Sequence, residues 1–477
     1  MSMAGYETII GLEVHCELKT ATKLFCGCRN QFGDEPNTNV CPVCVGLPGS
    51  LPVLNEKAVE FAIRIGLALE CEVKWSNFHR KNYFYPDMPK DFQISQYDLP
   101  LNEHGRIELP DGSVVGITRA HMEEDTGKST HLGGSGRIHG ADASLIDYNR
   151  SGVPLVEIVS EPDMRSGVQA RAYVAELRAI LVAVGATDGR MEEGSMRVDA
   201  NVSVRKPGDP FGKRCEIKNL NSLRSLQRAI EYEALRQVDC IEAGERIVQE
   251  TRHWDEAAGR TGSMRSKEEA NDYRYFPEPD LVPLAPSVEW IAEIRRGLPA
   301  LPKARRQALV QLLGSDDQAT LDLVATVVDR DLDALVVEAT AAGAPAQLAL
   351  TRAANELNAE GVLPSAASFA ATCQLEASGA LSATQAKTVL AALIEEPDAD
   401  PKDLAAKLGF EQLSDDTLST AVAEVIQAND DEWTRFAGGD DKLAQFFIGK
   451  VMAATKGKAN GKAVISLLNE RRAAAAS

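Results

Sequence analysis

Five carboxylates and one histidine, Glu13, His15, Glu124, Glu157, Asp199 and Glu216, are spread over about two hundred residues, each in or beside a stretch that reads as β-strand. A single acid on a polar strand face is usually just solvated. Several acids facing one cleft repel each other unless cations neutralise them, and oxygen donors with one imidazole suit magnesium or manganese rather than zinc. Two such ions would clamp the phosphates of ATP and screen an attacking carboxylate, which is what acyl-phosphate formation needs. No phosphate-binding loop competes for that role. Gly127-Lys128-Ser129 ends like one, but Met122 stands where its earlier glycine belongs, and Glu123, Glu124 and Asp125 would repel a phosphate. Gly133-Gly134-Ser135-Gly136 follows no predicted strand and opens no helix, so it reads as a loop.

Four cysteines form a different kind of site. Cys26-Gly27-Cys28 and Cys41-Pro42-Val43-Cys44 lie twelve residues apart, a spacing that lets one loop wrap a tetrahedral zinc with four thiolates. Four thiolates fill the coordination sphere, so the zinc is structural; four free buried thiols or a lost site are the alternatives. Aromatic residues are only 5% of the chain, yet Tyr83, Phe84, Tyr85, Phe92 and Tyr97 crowd one short stretch with Arg80, Lys81 and Lys90. Such planes beside cations suit a nucleotide base or a single-stranded RNA end, with loop packing as the plainer reading.

The elements that position these residues follow from alternation. In 195–205 every even position is apolar (Met196, Val198, Ala200, Val202, Val204), and the odd ones include Arg197, Asp199 and Asn201. Ile10, Leu12, Val14, Cys16 and Leu18 make the same stripe, leaving Glu13, His15 and Glu17 opposite; Glu216 and Lys218 share one face of a third strand. Asp111-Gly112 predicts a hairpin, and Val174, Leu177, Leu181 and Val184 before Gly185 predict a helix with a glycine stop. The fold class is α+β with a largely antiparallel sheet.

The chain's 477 residues exceed one ordinary domain. Strand and helix signals mix to about residue 295, and beyond it the sequence is Ala- and Leu-rich with helical spacing. Prolines from Pro277 to Pro302 predict an ordered, non-helical linker, and Glu396–Pro401 predicts a second break. Beyond it Leu443, Phe447 and Val451, then Val464, Leu467 and Leu468, mark a small helical module. The net charge of -19 argues against non-specific polyanion binding by the whole chain. From residue 441 onward, however, seven basic residues face two acidic ones, which suits an RNA partner held locally, or a solvated helix face. No signal-peptide pattern and no long apolar run appear, so the expected location is cytoplasmic, with no membrane association.

Five motifs occur in order: Ile10-Gly11-Leu12-Glu13-Val14-His15, Arg80-Lys81-Asn82-Tyr83-Phe84-Tyr85-Pro86-Asp87, His121-Met122-Glu123-Glu124-Asp125, Glu157–Asp163 and Asp272-Tyr273-Arg274-Tyr275-Phe276-Pro277. Together they resemble the GatB family, the B subunits of glutamine-dependent aspartyl/glutamyl-tRNA amidotransferases, nearly end to end. The resemblance implies a glutamine-synthetase-like cradle domain (1–295), an all-α helical domain (296–408) and a small all-α YqeY-like tail domain (409–477), whose Lys456-Gly457-Lys458-Ala459-Asn460 would contact tRNA. It also implies the reaction: ATP phosphorylates the side chain of Glu on the glutamine tRNA, or of Asp on the asparagine tRNA, and ammonia displaces phosphate. The ammonia comes from an amidase-like A subunit, and a small C subunit braces the pair. By motif, His15, Glu124 and Glu157 resemble ligands of one Mg²⁺, and Glu13, Asp199 and Glu216 resemble ligands of a second ion held with ATP; Glu17, on the same face, drops out. Lys81, Tyr83, Tyr85 and Arg197 are candidates beside the acceptor end or the phosphates.

Two positions depart from the family pattern. Gly461 stands where the tail motif commonly has proline, and Asn271 where histidine is frequent. Two other functions compete with the amidotransferase role. A stand-alone ATP-dependent carboxylate-amine ligase on a free amino acid is disfavoured by the basic tail and the missing ammonia source. A non-catalytic scaffold binding zinc and tRNA predicts that Glu124→Gln or Asp199→Asn leaves the assembled complex active.

Overall fold

The computed structural model describes residues 5–133, 141–266, 273–358, 361–410, 415–455, 459 and 461–475. Gly134, Ser135 and Gly136, then Asn271 and Asp272, and Lys456, Gly457, Lys458 and Asn460 of the tail motif lie outside the described residues. The chain divides into two compact units, Met1–Pro302 and Lys303–Ser477.

The first unit runs β1 (Glu7–Glu17), α1 (Glu56–Ala68), β2 (Glu72–Val73), β3 (His79–Asn82), β4 (Phe92–Ser95), β5 (Asn102–Glu108), β6 (Val114–Glu124), β7 (Lys128–Leu132), β8 (Ala143–Asp147), β9 (Pro154–Ser160), α2 (Gly167–Ala183), β10 (Met196–Arg205), β11 (Cys215–Lys218), α3 (Leu223–Glu242), β12 (Glu250–Asp255), β13 (Arg260–Ser266), β14 (Phe276–Pro277) and α4 (Val288–Arg296). Twelve strands form one sheet in the order β13-β12-β11-β10-β1-β9-β6-β4-β3-β14, with β5 and β2 branching from β6. Every pairing in it is antiparallel except β11 with β12. The unit is α+β in type, as the alternation predicts.

Period two decides which face is which. Ile10, Leu12, Val14 and Cys16 of β1 and Met196, Val198, Ala200 and Val202 of β10 are buried with residues of α1, α2 and α3 in one core. Ser166 and Ser222 cap α2 and α3, each accepting a backbone N–H from the first turn. Gly185 follows α2 at φ +74°, a left-handed position that glycine fills without strain. With the helices on one face, the odd residues of β1 and β10 are left to the other.

The prolines from 277 to 302 do not keep their segment free of helix. Pro286 and Pro299 bracket α4, where Ser287 caps the helix and Trp290, Ile291 and Ile294 pack on the first core. An amphipathic face nine residues long outweighs its flanking helix breakers.

The second unit is helical throughout its described elements: α5 (Pro302–Leu313), α6 (Gln318–Asp329), α7 (Asp333–Ala341), α8 (Ala346–Glu356), α9 (Ala366–Ala377), α10 (Ala383–Glu395), α11 (Pro401–Lys407), α12 (Asp415–Gln427), α13 (Asp430–Ala437), α14 (Leu443–Ala454) and α15 (Gly461–Ala475). One apolar cluster runs from Leu309 to Ala405, and a separate one gathers Leu418, Val422, Phe436, Phe447, Val451, Val464 and Leu468. The break predicted at Glu396–Pro401 is instead a turn within the first of these clusters. Asp400 caps α11, Pro401 takes its first position, and Leu404 and Ala405 return to the same core as α9 and α10. No described helix is long and apolar enough to cross a membrane.

Candidate active site

Register brings distant acids together on the polar face. Glu13 stands opposite Asp199 across β1 and β10, while His15 stands opposite Glu157 across β1 and β9. On β6, His121 faces the same Glu157; on β11, Glu216 pairs with Asn201 of β10. Two constellations result, each with donor atoms within 4.8 Å of one another: His15, Glu123 and Glu157, and Glu13, Asp199 and Glu216. Both line a cavity of about 480 Å³ whose walls also carry Lys81, Gln96, Arg119, Arg214, Lys218 and Tyr275.

In the first constellation, His15 Nε2 lies 3.8 Å from Glu123 Oε1 and 3.7 Å from Glu157 Oε2, and His121 Nε2 lies 3.5 Å from Glu157 Oε2. Burial pushes the His121 imidazole down to about 4, so it is neutral at pH 7. Burial and the neighbouring Glu157 raise the Glu123 carboxyl. Glu157 goes the other way: burial alone would raise it, but His121, His15 and Lys81 hold it down to about 2. In the second constellation, Lys218 Nζ donates to Asp199 Oδ2 at 2.6 Å and lies 3.4 Å from Glu216 Oε1. Burial opposes the lysine's charge, yet those two carboxylates keep it ammonium by raising its pKa. Asn201 donates to Glu13 at 2.9 Å, and Thr251 donates to Glu216 at 2.9 Å. Hard oxygen donors with one imidazole fit a magnesium-type ion at the first constellation, and three carboxylates fit one at the second. Gln96 brings to the same cavity a buried Nε2 donor with no hydrogen-bond partner among the described residues.

Glu124 is a correction. The motif places it among the ligands, but the structure puts Glu123 there and turns Glu124 away. Glu124 is buried against Lys90, which donates to Oε1, and the Ile94 N–H donates to the same atom at 2.9 Å. Neighbouring residues on a strand point to opposite faces, so only one of the two acids reaches the site. Arg197 is also committed elsewhere, donating to Asp125 at 2.7 Å, and Glu17 lies in that same group. Lys81 lines the cavity, with its Nζ 4.9 Å from the Tyr273 ring; Tyr83 and Tyr85 are not on the lining and pack on each other at 4.6 Å. Tyr97 and Tyr275 stack at 4.1 Å and form part of the wall.

Arg119, Arg214 and Lys218 are site residues that the motifs do not single out, and His121 has no role assigned by its motif. Lys218 carries a signal in the sequence, because alternation places it beside Glu216. Away from the cavity, Cys26, Cys28, Cys41 and Cys44 bring their sulfurs within 4.8 Å of one another, against the roughly 3.8 Å sulfur separation of a tetrahedral thiolate site. A hydrogen bond from Cys26 holds Cys44 down to about 5, and Cys26 is pushed up by the same contact. The donor set fits zinc.

Residues 8–292 match the GatB/GatE catalytic domain family, and residues 332–471 match the family described as GatB domain. The B subunit of the aspartyl/glutamyl-tRNA(Asn/Gln) amidotransferase of Frankia casuarinae is 52% identical to this chain, covering 98% of it and 96% of the Frankia protein. Proteins of the same description from Salinispora arenicola and Mycobacterium avium are each 49% identical, with the same coverage.

Proposed function

The chain belongs to the GatB family, the B subunits of tRNA-dependent amidotransferases that convert misacylated Asp- or Glu-tRNA to Asn- or Gln-tRNA, and we propose that its two acid constellations are where the side-chain carboxylate is activated. It is a glutamine-dependent carbon-nitrogen ligase acting within a multi-subunit complex. The observation that carries the site assignment is the placement of both constellations, with Lys81, Arg119, Arg214 and Lys218, around one cavity.

His15, Glu123 and Glu157 would hold one Mg²⁺, and Glu13, Asp199 and Glu216 a second one with ATP. When bound, such ions neutralise phosphate charge and act as Lewis acids. The chain's own groups do the rest. Lys81, Arg119 and Lys218 supply positive charge where a triphosphate and a carboxylate must meet, which lowers their mutual repulsion. A side-chain carboxylate oxygen of the aminoacyl group attacks the γ-phosphorus, the bond to the β,γ-bridging oxygen breaks, and ADP leaves. Ammonia then attacks the acyl carbon, phosphate departs with the bonding pair, and the nitrogen sheds one proton to give the amide. Neutral His121 adds no positive charge that would protonate or compete with the approaching ammonia.

The amidase-like A subunit supplies that ammonia and the C subunit braces the pair, with tRNA(Gln), tRNA(Asn) or both as substrate. The cradle, helical and YqeY-like tail assignments, a tail contact with tRNA, structural zinc on the four cysteines and a cytoplasmic location belong to the same proposal. The test mixes the chain with its A and C partners, ATP, glutamine and each misacylated tRNA, and identifies the amino acid released after deacylation. Asp199→Asn should abolish ATP-dependent phosphorylation while tRNA binding persists; retained phosphorylation would leave only a scaffold. Metal analysis of protein purified without chelators should find one zinc per chain, and finding none would remove it.

A further inference from the structure

Asn82 and Arg274 belong to the two tyrosine-bearing motifs, yet neither lines the acid-lined cavity. They meet where a strand pair ends. β14 pairs with β3 through Phe276 opposite Arg80 and Pro277 opposite His79, so continuing that register would set Arg274 opposite Asn82. The ladder stops at Phe276, and the Asn82 side chain takes it over: Nδ2 donates to the Tyr273 carbonyl at 2.8 Å and to the Arg274 carbonyl at 2.9 Å. Successive carbonyls of an extended strand point in opposite directions, so one amide nitrogen reaches both only where the backbone turns. Arg274 makes that turn at φ +46°, a left-handed conformation that side chains other than Asn, Asp and His rarely adopt. Beyond it the chain is anchored. Glu278 accepts from Arg80 Nε at 2.7 Å and Nη2 at 2.9 Å, and its N–H donates to the Phe78 carbonyl at 2.8 Å. The Arg274 side chain is exposed, while its neighbours Tyr273 and Tyr275 both line the cavity and meet edge to face at 5.9 Å. A strained backbone persists only where its surroundings hold it, and what this one sets is the angle between two cavity rings.

We propose that Asn82 is a positioning residue for the amidotransfer: with the left-handed turn at Arg274 it fixes Tyr273 and Tyr275 against Tyr97, as a wall that seats the aminoacylated end of the tRNA. That end is single-stranded, and unpaired bases stack on aromatic planes. Its amino acid is esterified to the terminal ribose, so the seat of that nucleotide sets how far the side-chain carboxylate stands from His15, Glu123 and Glu157. The wall is built beside those acids. Tyr275 stacks on Tyr97 at 4.1 Å, and burial, with Glu123 and Glu157 nearby, pushes its phenol up, so the ring stays neutral. Lys81 Nζ, 4.9 Å from the Tyr273 ring, joins the wall to the cations of the cavity. Asn82 touches no substrate; its effect passes through the rings. This assignment rests on the amidotransferase reading above.

In the complete complex, Asn82→Ala should raise KM for Glu-tRNA about tenfold with KM for ATP unchanged, since two hydrogen bonds are lost at a distance from the nucleotide. Combining it with Tyr273→Ala and Tyr275→Ala should raise KM less than about twofold beyond the tyrosine variants alone, because the wall it acts through is already gone. Arg274 supplies a second test at an exposed position. Arg274→Val puts a β-branched residue at positive φ and should match Asn82→Ala, whereas Arg274→Asn suits the left-handed region and should bring KM back to within about twofold of the wild type. An unchanged KM for Glu-tRNA in Asn82→Ala, a rise in KM for ATP in its place, or full additivity with the tyrosine variants would overturn the positioning role. So would equal losses in both Arg274 variants, which would mean that the guanidinium itself binds. Absence of any ADP formation by the wild-type complex would instead remove the amidotransferase reading of the site.

Discussion

Glu123 and Glu124 are adjacent acids in one motif, and the fold gives them opposite fates through a single irregularity. On β6 the core-facing residues are Val115 and Ile117, then Ala120 and Met122, so the buried parity switches. The switch coincides with a register shift between Ile117 and Arg119 where β6 pairs with β9. Downstream of it Arg119, His121 and Glu123 face the cavity, and Glu124 falls on the other side. Alternation counted from Val115 misses this, which is why neither motif nor period two could choose between the two acids. The choice is testable. Glu123→Gln should cut aminoacyl-tRNA-dependent ADP release by roughly a hundredfold or more. Its stability in urea should stay level or rise, because burial disfavours the charge it removes. Glu124→Gln should behave oppositely in stability. It strands Lys90, whose side chain is 8% exposed, and should cost about 3 kcal/mol.

Elements are legible where an apolar stripe runs unbroken and obscure where capping or an ion network decides. β1, β10 and the body of α2 follow directly from spacing. The helix α4 does not, since prolines dominate its surroundings and its signal is one serine cap and a short apolar face. The packing of α3 on β12 and β13 is equally hidden, because it turns on a charge. Glu233 of α3 is fully buried, accepting from Arg236 at 2.6 Å, Gln237 at 2.9 Å and Thr261 at 2.9 Å, with Arg252 Nε at 3.3 Å. Burial alone would raise its pKa, but the hydrogen bonds from Arg236, Gln237 and Thr261 outweigh it and the net shift is downward. A folded-state pKa below the unfolded value of about 4.3 adds stability that is present above that pH and is lost as pH falls through the folded value. Unfolding free energy should therefore drop as pH falls below about 4.3, and Glu233→Gln should flatten that limb. At pH 7 the same variant should lose about 3 kcal/mol, because the buried Arg252 and the half-buried Arg236 lose their shared anion. Urea titrations at several pH values check both.

Across the whole molecule, charge is divided between an acidic body and a basic tail, and composition exposes that division without saying which cations are free to act. The structure sorts them. Arg472 donates to Asp441 at 2.7 Å, and Arg471 donates to the Ser419 carbonyl at 3.0 Å and to its hydroxyl at 2.9 Å, so both hold the tail together. Lys442 and Lys450 are exposed and form no ion pair among the described residues; Lys450 lies 5.4 Å from the Phe446 ring. If the tail grips tRNA through phosphates, these two lysines should carry part of its salt dependence. Each phosphate contact contributes a slope of roughly -0.7 to -0.9 in log affinity against log salt. Lys442→Glu with Lys450→Glu should therefore raise KM for Glu-tRNA about tenfold and flatten its dependence on KCl by about one to two units of slope. Because both lie outside the catalytic cavity, kcat at saturating tRNA and KM for ATP should not move. Assays of the complete complex across a KCl series separate the outcomes. An unchanged salt slope would mean that this helix face is only solvated, and a fall in kcat with KM intact would place the tail's influence on chemistry instead of tRNA capture.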